Sequence, residues 1–390
     1  MTGGGNNVSP SFVPFRPPWW LAWRQLQTWG ASLAPLGLPE GMPLDEPHDI
    51  SVAPGSRVRV LVTHAAGAPQ GTLLLLHGLA GHASSRLLRR GAGEAWRRGW
   101  TIVRMNYRSC GGTAPLASTL CNAGMSGDIA SVLESPLLAS LPQPRIAIGY
   151  SLGGNMLLKY LGEAAPQRDG ETALFKTAHF ADDGPGRAGR HLHHAGRGSR
   201  LAGAVAVSPP IDLSLTCRNL ERAPNIAYHL LFTAVLARRA RHRHRLDGRS
   251  GPAPALWRTP TMRRFDSAHT APDAGYASPE DYYRGASSLS LLNRIDTPTL
   301  IVTAKDDPIM PIAMFAPPIE RNPFLRLVIS DRGGHCGWIE RREGRIGNWL
   351  PALALDFLET EARPRTDPAL RLPATGVESN PAARGSSIVP

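Results

Sequence analysis

From Arg145 to Tyr160 the chain reads Arg-Ile-Ala-Ile-Gly-Tyr-Ser-Leu-Gly-Gly-Asn-Met-Leu-Leu-Lys-Tyr, a β-type run that becomes a helix-type run at a serine set between glycines. So tight a turn folds the backbone closely on itself, and only small neighbours fit around the residue at its tip. Gly149 and Gly153 stand at that spacing about Ser151. A helix beginning just past Ser151 directs its free N–H groups and positive dipole end at any negative charge developing near Oγ. One turn therefore offers a nucleophile together with an oxyanion donor. Gly-x-Ser-x-Gly also arises by chance in a chain with 40 glycines, and a plain glycine-rich turn is the competing reading, so other segments must decide.

Upstream, Gly71-Thr-Leu-Leu-Leu-Leu-His77-Gly78-Leu79-Ala-Gly81 reads as a buried strand that ends in a loop able to aim a backbone N–H into a site. By position, the two oxyanion donors of an acyl-transfer site are the N–H groups of Leu79 and Leu152. His77 is read as a ring packed and hydrogen-bonded beneath that loop, with the base elsewhere. If the order is serine, acid, histidine, only one of the 13 histidines follows the best acid. That is His335, in Leu325-Arg-Leu-Val-Ile-Ser-Asp-Arg-Gly-Gly-His-Cys-Gly-Trp338, where flanking glycines suggest a mobile loop that delivers the imidazole. The acid should follow the strand Thr299–Ala304. Strand-end spacing favours Asp307, with Asp306 as the alternative and Asp212 third, a residue whose simpler role is to cap the next helix.

These residues carry a family resemblance. The chain resembles an α/β-hydrolase of the YheT-like branch, a group of predicted esterases with relatives among membrane-associated acylglycerol and phospholipid hydrolases. The matching segments are Phe15-Arg-Pro-Pro-Trp19-Trp20-Leu, Gln27-Thr28, His77-Gly78, Asn106-Tyr107-Arg108-Ser-Cys110-Gly-Gly, the Gly149 to Gly153 turn, Val207-Ser-Pro-Pro-Ile-Asp212-Leu, Phe265-Asp266, Asp281-Tyr282-Tyr283, Asp306-Asp307-Pro308 and Gly333-Gly334-His335. They cover residues 12 to 360. The resemblance implies a triad of Ser151, Asp307 and His335, an oxyanion hole from Leu79 and Leu152, and an ester or acylglycerol substrate with no cofactor. Residues 167–200 depart from it as an insertion and residues 362–390 as a tail.

Seven expected strands, near residues 57–64, 72–77, 101–107, 145–150, 203–208, 299–304 and 325–330, alternate with helix-type segments. Such alternation predicts an α/β fold with a mainly parallel sheet covered by helices on both faces. Residues 211–297 exceed a simple crossover and read as a helical cap, with Tyr228, Leu230, Leu231 and Phe232 as acyl-facing candidates or, on an equal footing, as residues that pack the cap onto the body. An apolar stretch over residues 346–360 closes the domain, with Pro351 interrupting or restarting its first turn. The expected organisation is a flexible N-terminus at 1–11, one domain at 12–361 and a disordered tail at 362–390.

Cysteines 110, 121, 217 and 336 lack Cys-x-x-Cys spacing and read as reduced thiols, and Cys336 is a weaker nucleophile candidate than Ser151. Without a signal-like or 18-residue apolar run, the chain reads as soluble and cytoplasmic. Of the net charge of +12, residues 187–200 supply four arginines, and residues 238–249 six against Asp247. Arg238–Arg245 is a candidate contact with an anionic membrane, a solvated helix face being the plainer reading. No nucleic-acid binding is expected, because neither basic segment interleaves aromatics for base stacking. The histidines at 191, 193, 194, 242 and 244 lack ligand partners at recognised spacing, so no metal is expected. The expected activity is ester cleavage on a small-molecule or lipid substrate. The alternative is a non-catalytic relative of the same fold that binds an anionic lipid or a partner.

Overall fold

The computed structural model describes residues 15–33, 39–166, 198–248, 260–315, 319, 321–342 and 345–361. The expected flexible N-terminus at 1–11, the tail at 362–390, the histidines at 191, 193 and 194, and nearly all of the insertion lie outside the described residues.

Eight strands form the main sheet: β1 (Glu46–Ala53), β2 (Ser56–Thr63), β3 (Gly71–Leu76), β4 (Trp100–Asn106), β5 (Arg145–Tyr150), β6 (Gly203–Val207), β7 (Thr299–Ala304) and β8 (Leu325–Ser330), in the order β1-β2-β4-β3-β5-β6-β7-β8. The β1–β2 and β2–β4 pairs are antiparallel and the others parallel. Central strands buried on both faces carry continuous apolar runs, and their side chains divide by parity. Leu74 and Leu76 join one core while Leu73 and Leu75 join the other.

On the Leu73 side lie α1 (Arg24–Leu33), α2 (Arg86–Arg97) and a long C-terminal helix. On the Leu74 side lie α3 (Ser126–Leu133), the short α4 (Pro136–Ser140) and α5 (Leu152–Ala164). Between β6 and β7 come α6 (Leu213–Leu220), α7 (Ile226–Leu246), α8 (Met262–Phe265), a π-turn at Asp266–Thr270, α9 (Ala271–Asp273) and α10 (Pro279–Ala286). Side-chain oxygens start three of these helices by accepting a free first-turn N–H: Asp212 from Leu215 at 2.9 Å, Thr261 from Arg264 at 3.2 Å and Ser278 from Asp281 at 3.1 Å. Asp212 is thus a cap, as its simpler reading had it. The C-terminal helix is α11 (Trp349–Glu361); Pro351 sits in its first turn, where no intrahelical acceptor awaits its missing N–H.

The sequence reading left out β1 and the hairpin of β9 (Ile339–Arg342) and β10 (Arg345–Asn348). β1 is an edge strand with only Ile50 and Val52 buried on one face, so it lacks the apolar run that marks the inner strands. Within the basic segment of α7, Arg239 donates to the carbonyl of Gly81, and Arg243 to those of Ala114 and Ala117 and to Asp247. Those arginines fasten the helix to the body, while Arg238 and Arg245 remain exposed.

Candidate active site

Ser151 is the residue between β5 and α5, held at φ 51° and ψ −119°. Its N–H donates to the carbonyl of Val207 at 2.8 Å, and its own carbonyl accepts from Gly154 and Asn155. The flanking glycines are sterically required. A Cβ on Gly149 would stand 2.5 Å from the carbonyl oxygen of Gly153, and one on Gly153 would stand 2.7 Å from both the carbonyl oxygen of His77 and the Tyr107 hydroxyl. Gly78 approaches from β3, where a Cβ would lie 3.1 Å from that of Ser151.

The structure brings together three side chains that chain order had singled out. Ser151 Oγ lies 2.9 Å from His335 Nε2, and His335 Nδ1 lies 2.9 Å from Asp307 Oδ2. The second Asp307 oxygen accepts from the N–H groups of Ile309 and Met310 at 2.8 and 3.0 Å. Asp306 does not reach the imidazole; its carboxylate accepts from the Gly334 N–H at 2.9 Å. His77 stays out of the constellation, with Nδ1 2.8 Å from the carbonyl of Gly78 and its ring against Tyr107.

The glycines around His335 permit close contacts that a side chain would block. Gly334 has φ +56°, and a Cβ there would meet the Arg24 carbonyl oxygen at 2.5 Å and Thr28 Oγ1 at 2.6 Å. The loop lies directly on α1, where Thr28 Oγ1 accepts the His335 N–H at 2.9 Å. The Gln27 amide donates to the carbonyls of Leu21 and Ile339 and accepts the Ile339 N–H. The Gln27-Thr28 pair was visible in the sequence as part of a resemblance, but its task depends on a contact some 300 residues away, which no local pattern signals.

Burial disfavours a charge on His335, yet the adjoining Asp307 carboxylate outweighs it and carries the imidazole pKa well above its ordinary value. Leu79 and Leu152 line the same hollow as Ser151, and their N–H groups have no backbone acceptor among the described residues. That hollow is lined mainly by apolar groups such as Leu213, Phe232, Leu236 and Met310. Of the four cap residues expected to face it, only Phe232 does. Tyr228 is buried and stacks on Trp29 at 5.3 Å, and Leu230 and Leu231 face solvent.

One polar cluster in the wall was not foreseen. The Tyr283 hydroxyl donates to Asp266 at 2.8 Å and lies 3.3 Å from Cys217 Sγ. Burial raises the Asp266 pKa to about 6, against the hydrogen bonds from Thr270 and Tyr283 that lower it.

Residues 73–346 match the model of the alpha/beta hydrolase family. The chain belongs to this family. Among curated relatives it is similar to "Putative esterase YheT" of Escherichia coli, 29% identical over 292 residues that cover 74% of this chain and 76% of the relative. It is also similar to monoacylglycerol lipase of Saccharomyces cerevisiae, 27% identical over 297 residues. That match covers 74% of this chain but only 58% of the lipase. Among solved structures, the 2,6-dihydroxy-pseudo-oxynicotine hydrolase shares the fold with a TM-score of 0.51 at 17% identity, over 87% of this chain and 72% of that one. The protein is therefore an alpha/beta hydrolase whose relatives are of esterase and lipase type.

Proposed function

We propose that this alpha/beta hydrolase cleaves carboxylic esters through an acyl-enzyme on Ser151. The observation that carries the reading is the pair of 2.9 Å contacts that run from Ser151 through His335 to Asp307 at the wall of an apolar hollow. Neutral His335 takes the Ser151 proton on Nε2 as Oγ bonds to the ester carbonyl carbon, and Asp307 keeps the Nδ1 proton in place and stabilises the imidazolium. The negative charge moves to the carbonyl oxygen, where the N–H groups of Leu79 and Leu152 receive it; each such donor is worth about 3 kcal/mol in the transition state. The imidazolium returns its proton to the departing alcohol as the C–O bond breaks. Water then repeats the sequence on the acyl-enzyme and releases the acid and free Ser151.

The apolar lining of the hollow favours short to medium acyl esters or monoacylglycerol-like lipids. The test is fluorophosphonate labelling and turnover of p-nitrophenyl esters from acetate to laurate, in the wild type and in Ser151→Ala. Loss of labelling, with kcat lowered at least about a thousandfold, is expected; turnover within tenfold of the wild type would refute the assignment.

A further inference from the structure

Two segments distant in sequence show large apolar side chains to solvent on neighbouring helices. At the start of the described chain Trp19 is 86% and Trp23 72% exposed, and Trp20, Leu26 and Trp29 between 38% and 46%. On α7, Ile226, Leu230 and Leu231 are between 41% and 46% exposed. The two helices meet where Trp29 stacks on Tyr228.

The inner faces of both helices are committed. Gln27 and Thr28 hold the His335 loop, while Tyr228, His229 and Thr233 are buried. A helix docked by one face ordinarily turns polar residues to water, and these turn Leu26 and Trp29 on α1 and Ile226, Leu230 and Leu231 on α7, with Trp19, Trp20 and Trp23 exposed just ahead of α1. Apolar groups gathered in this way mark a surface that something covers.

Charge indicates what covers it. Residues 15–33 and 221–237 carry Arg16, Arg24 and Arg222 against a single acidic residue, Glu221. Arg24 and Arg222 line one open hollow together with Lys305 and Asp307. Tryptophan rings belong at the boundary between lipid headgroups and acyl chains, and arginines in excess of acids favour anionic headgroups. A protein partner would need its own carboxylates at those positions; a membrane supplies phosphates at every one. The same α7 contributes Phe232 and Leu236 to the hollow that contains Ser151.

We propose that the face formed by Trp19, Trp23 and Leu26 with Ile226, Leu230 and Leu231 docks the protein on an anionic phospholipid surface. The tryptophans enter the headgroup boundary, and Arg16, Arg24 and Arg222 lie against lipid phosphates. Arg238 follows Leu231 by two turns on the same side of α7, so Arg238 and Arg245 extend this face, whereas Arg239 and Arg243 are engaged by the body.

The experiment is co-sedimentation of the full chain with vesicles of about 7:3 phosphatidylcholine to phosphatidylglycerol, and with phosphatidylcholine alone. The wild type should bind the mixed vesicles, more weakly in high salt, and bind phosphatidylcholine at least about tenfold more weakly. Trp19→Ala with Trp23→Ala should lower binding to the mixed vesicles at least about tenfold while leaving the circular dichroism spectrum unchanged. Arg238→Ala with Arg245→Ala should weaken binding to the mixed vesicles by less than the tryptophan variant does, and leave binding to phosphatidylcholine alone unchanged. Failure of the wild type to bind, equal binding by the tryptophan variant, or loss of binding in the arginine variant alone would overturn the proposal. So would a wild-type dimer that the tryptophan variant dissociates, since a second copy would then be the occupant. Ser151→Ala should bind as well as the wild type, so docking stands or falls apart from the acyl-enzyme.

Discussion

At the scale of single residues, the site rests on a backbone strain that its surroundings hold in place. The φ of 51° with ψ of −119° at Ser151 costs ~1–3 kcal/mol, and the bonds to Val207, Gly154 and Asn155 keep it there. On the proposed mechanism His335 sets the pH dependence, because only its neutral form can accept the serine proton. Its pKa is raised, so the base is lost as pH falls through a value well above the ordinary ~6.5, and kcat/KM should climb with pH across neutrality into the alkaline range. Asp307→Asn removes the raising charge. It should lower kcat by about four orders of magnitude and move the acid limb to lower pH. An acid limb at or below the ordinary imidazole value in the wild type would contradict this. Ser151 and His335 were legible because a tight turn admits few residue types and because one histidine follows the acid. Asp306 and Asp307 were separable only by preference, since adjacent carboxylates differ in direction rather than in pattern. The strand end turns one toward Gly334 and the other toward the imidazole.

At the scale of elements, the inner strands were readable from their apolar runs, whereas the cap was readable only as a helical length of chain. Which face of α7 turns inward depends on partners from α1 and α8, and the sequence placed Leu230 and Leu231 on the wrong side. The cap also contains a titration that local sequence does not announce. Asp266 is raised from 3.8 to about 6 by burial. A carboxyl whose folded pKa exceeds its unfolded value contributes stability in full below the unfolded value, and loses it as pH rises through the folded one. The difference amounts to ~3 kcal/mol between about pH 3.8 and pH 7. Asp266→Asn keeps an acceptor for the Tyr283 hydroxyl and cannot ionise. Urea unfolding of both proteins between about pH 4 and pH 7.5 should therefore show the wild type losing ~3 kcal/mol relative to the variant. Parallel pH profiles would show that Asp266 does not carry the effect.

For the molecule as a whole, the sheet and the cap together set what the hollow can accept. Its polar groups gather at Ser151 and at Asp266, and most of the remaining lining is apolar, so binding energy along an acyl chain comes chiefly from methylenes leaving water. Each buried methylene contributes ~0.8 kcal/mol, about fourfold in kcat/KM if the gain persists in the transition state. The p-nitrophenyl ester series should accordingly rise about fourfold per carbon and then break where the chain outgrows the hollow. The length at the break depends on the cap, because Phe232 and Leu236 come from α7 and Leu213 from α6. Leu236→Trp fills space on the cap side without touching Ser151, His335 or Asp307. It should bring the break to shorter esters by two or more carbons and leave acetate turnover within about twofold. A break at the same length in both proteins would place the acyl chain along another wall, whereas a uniform loss for every ester, acetate included, would mean that the tryptophan had disturbed the triad.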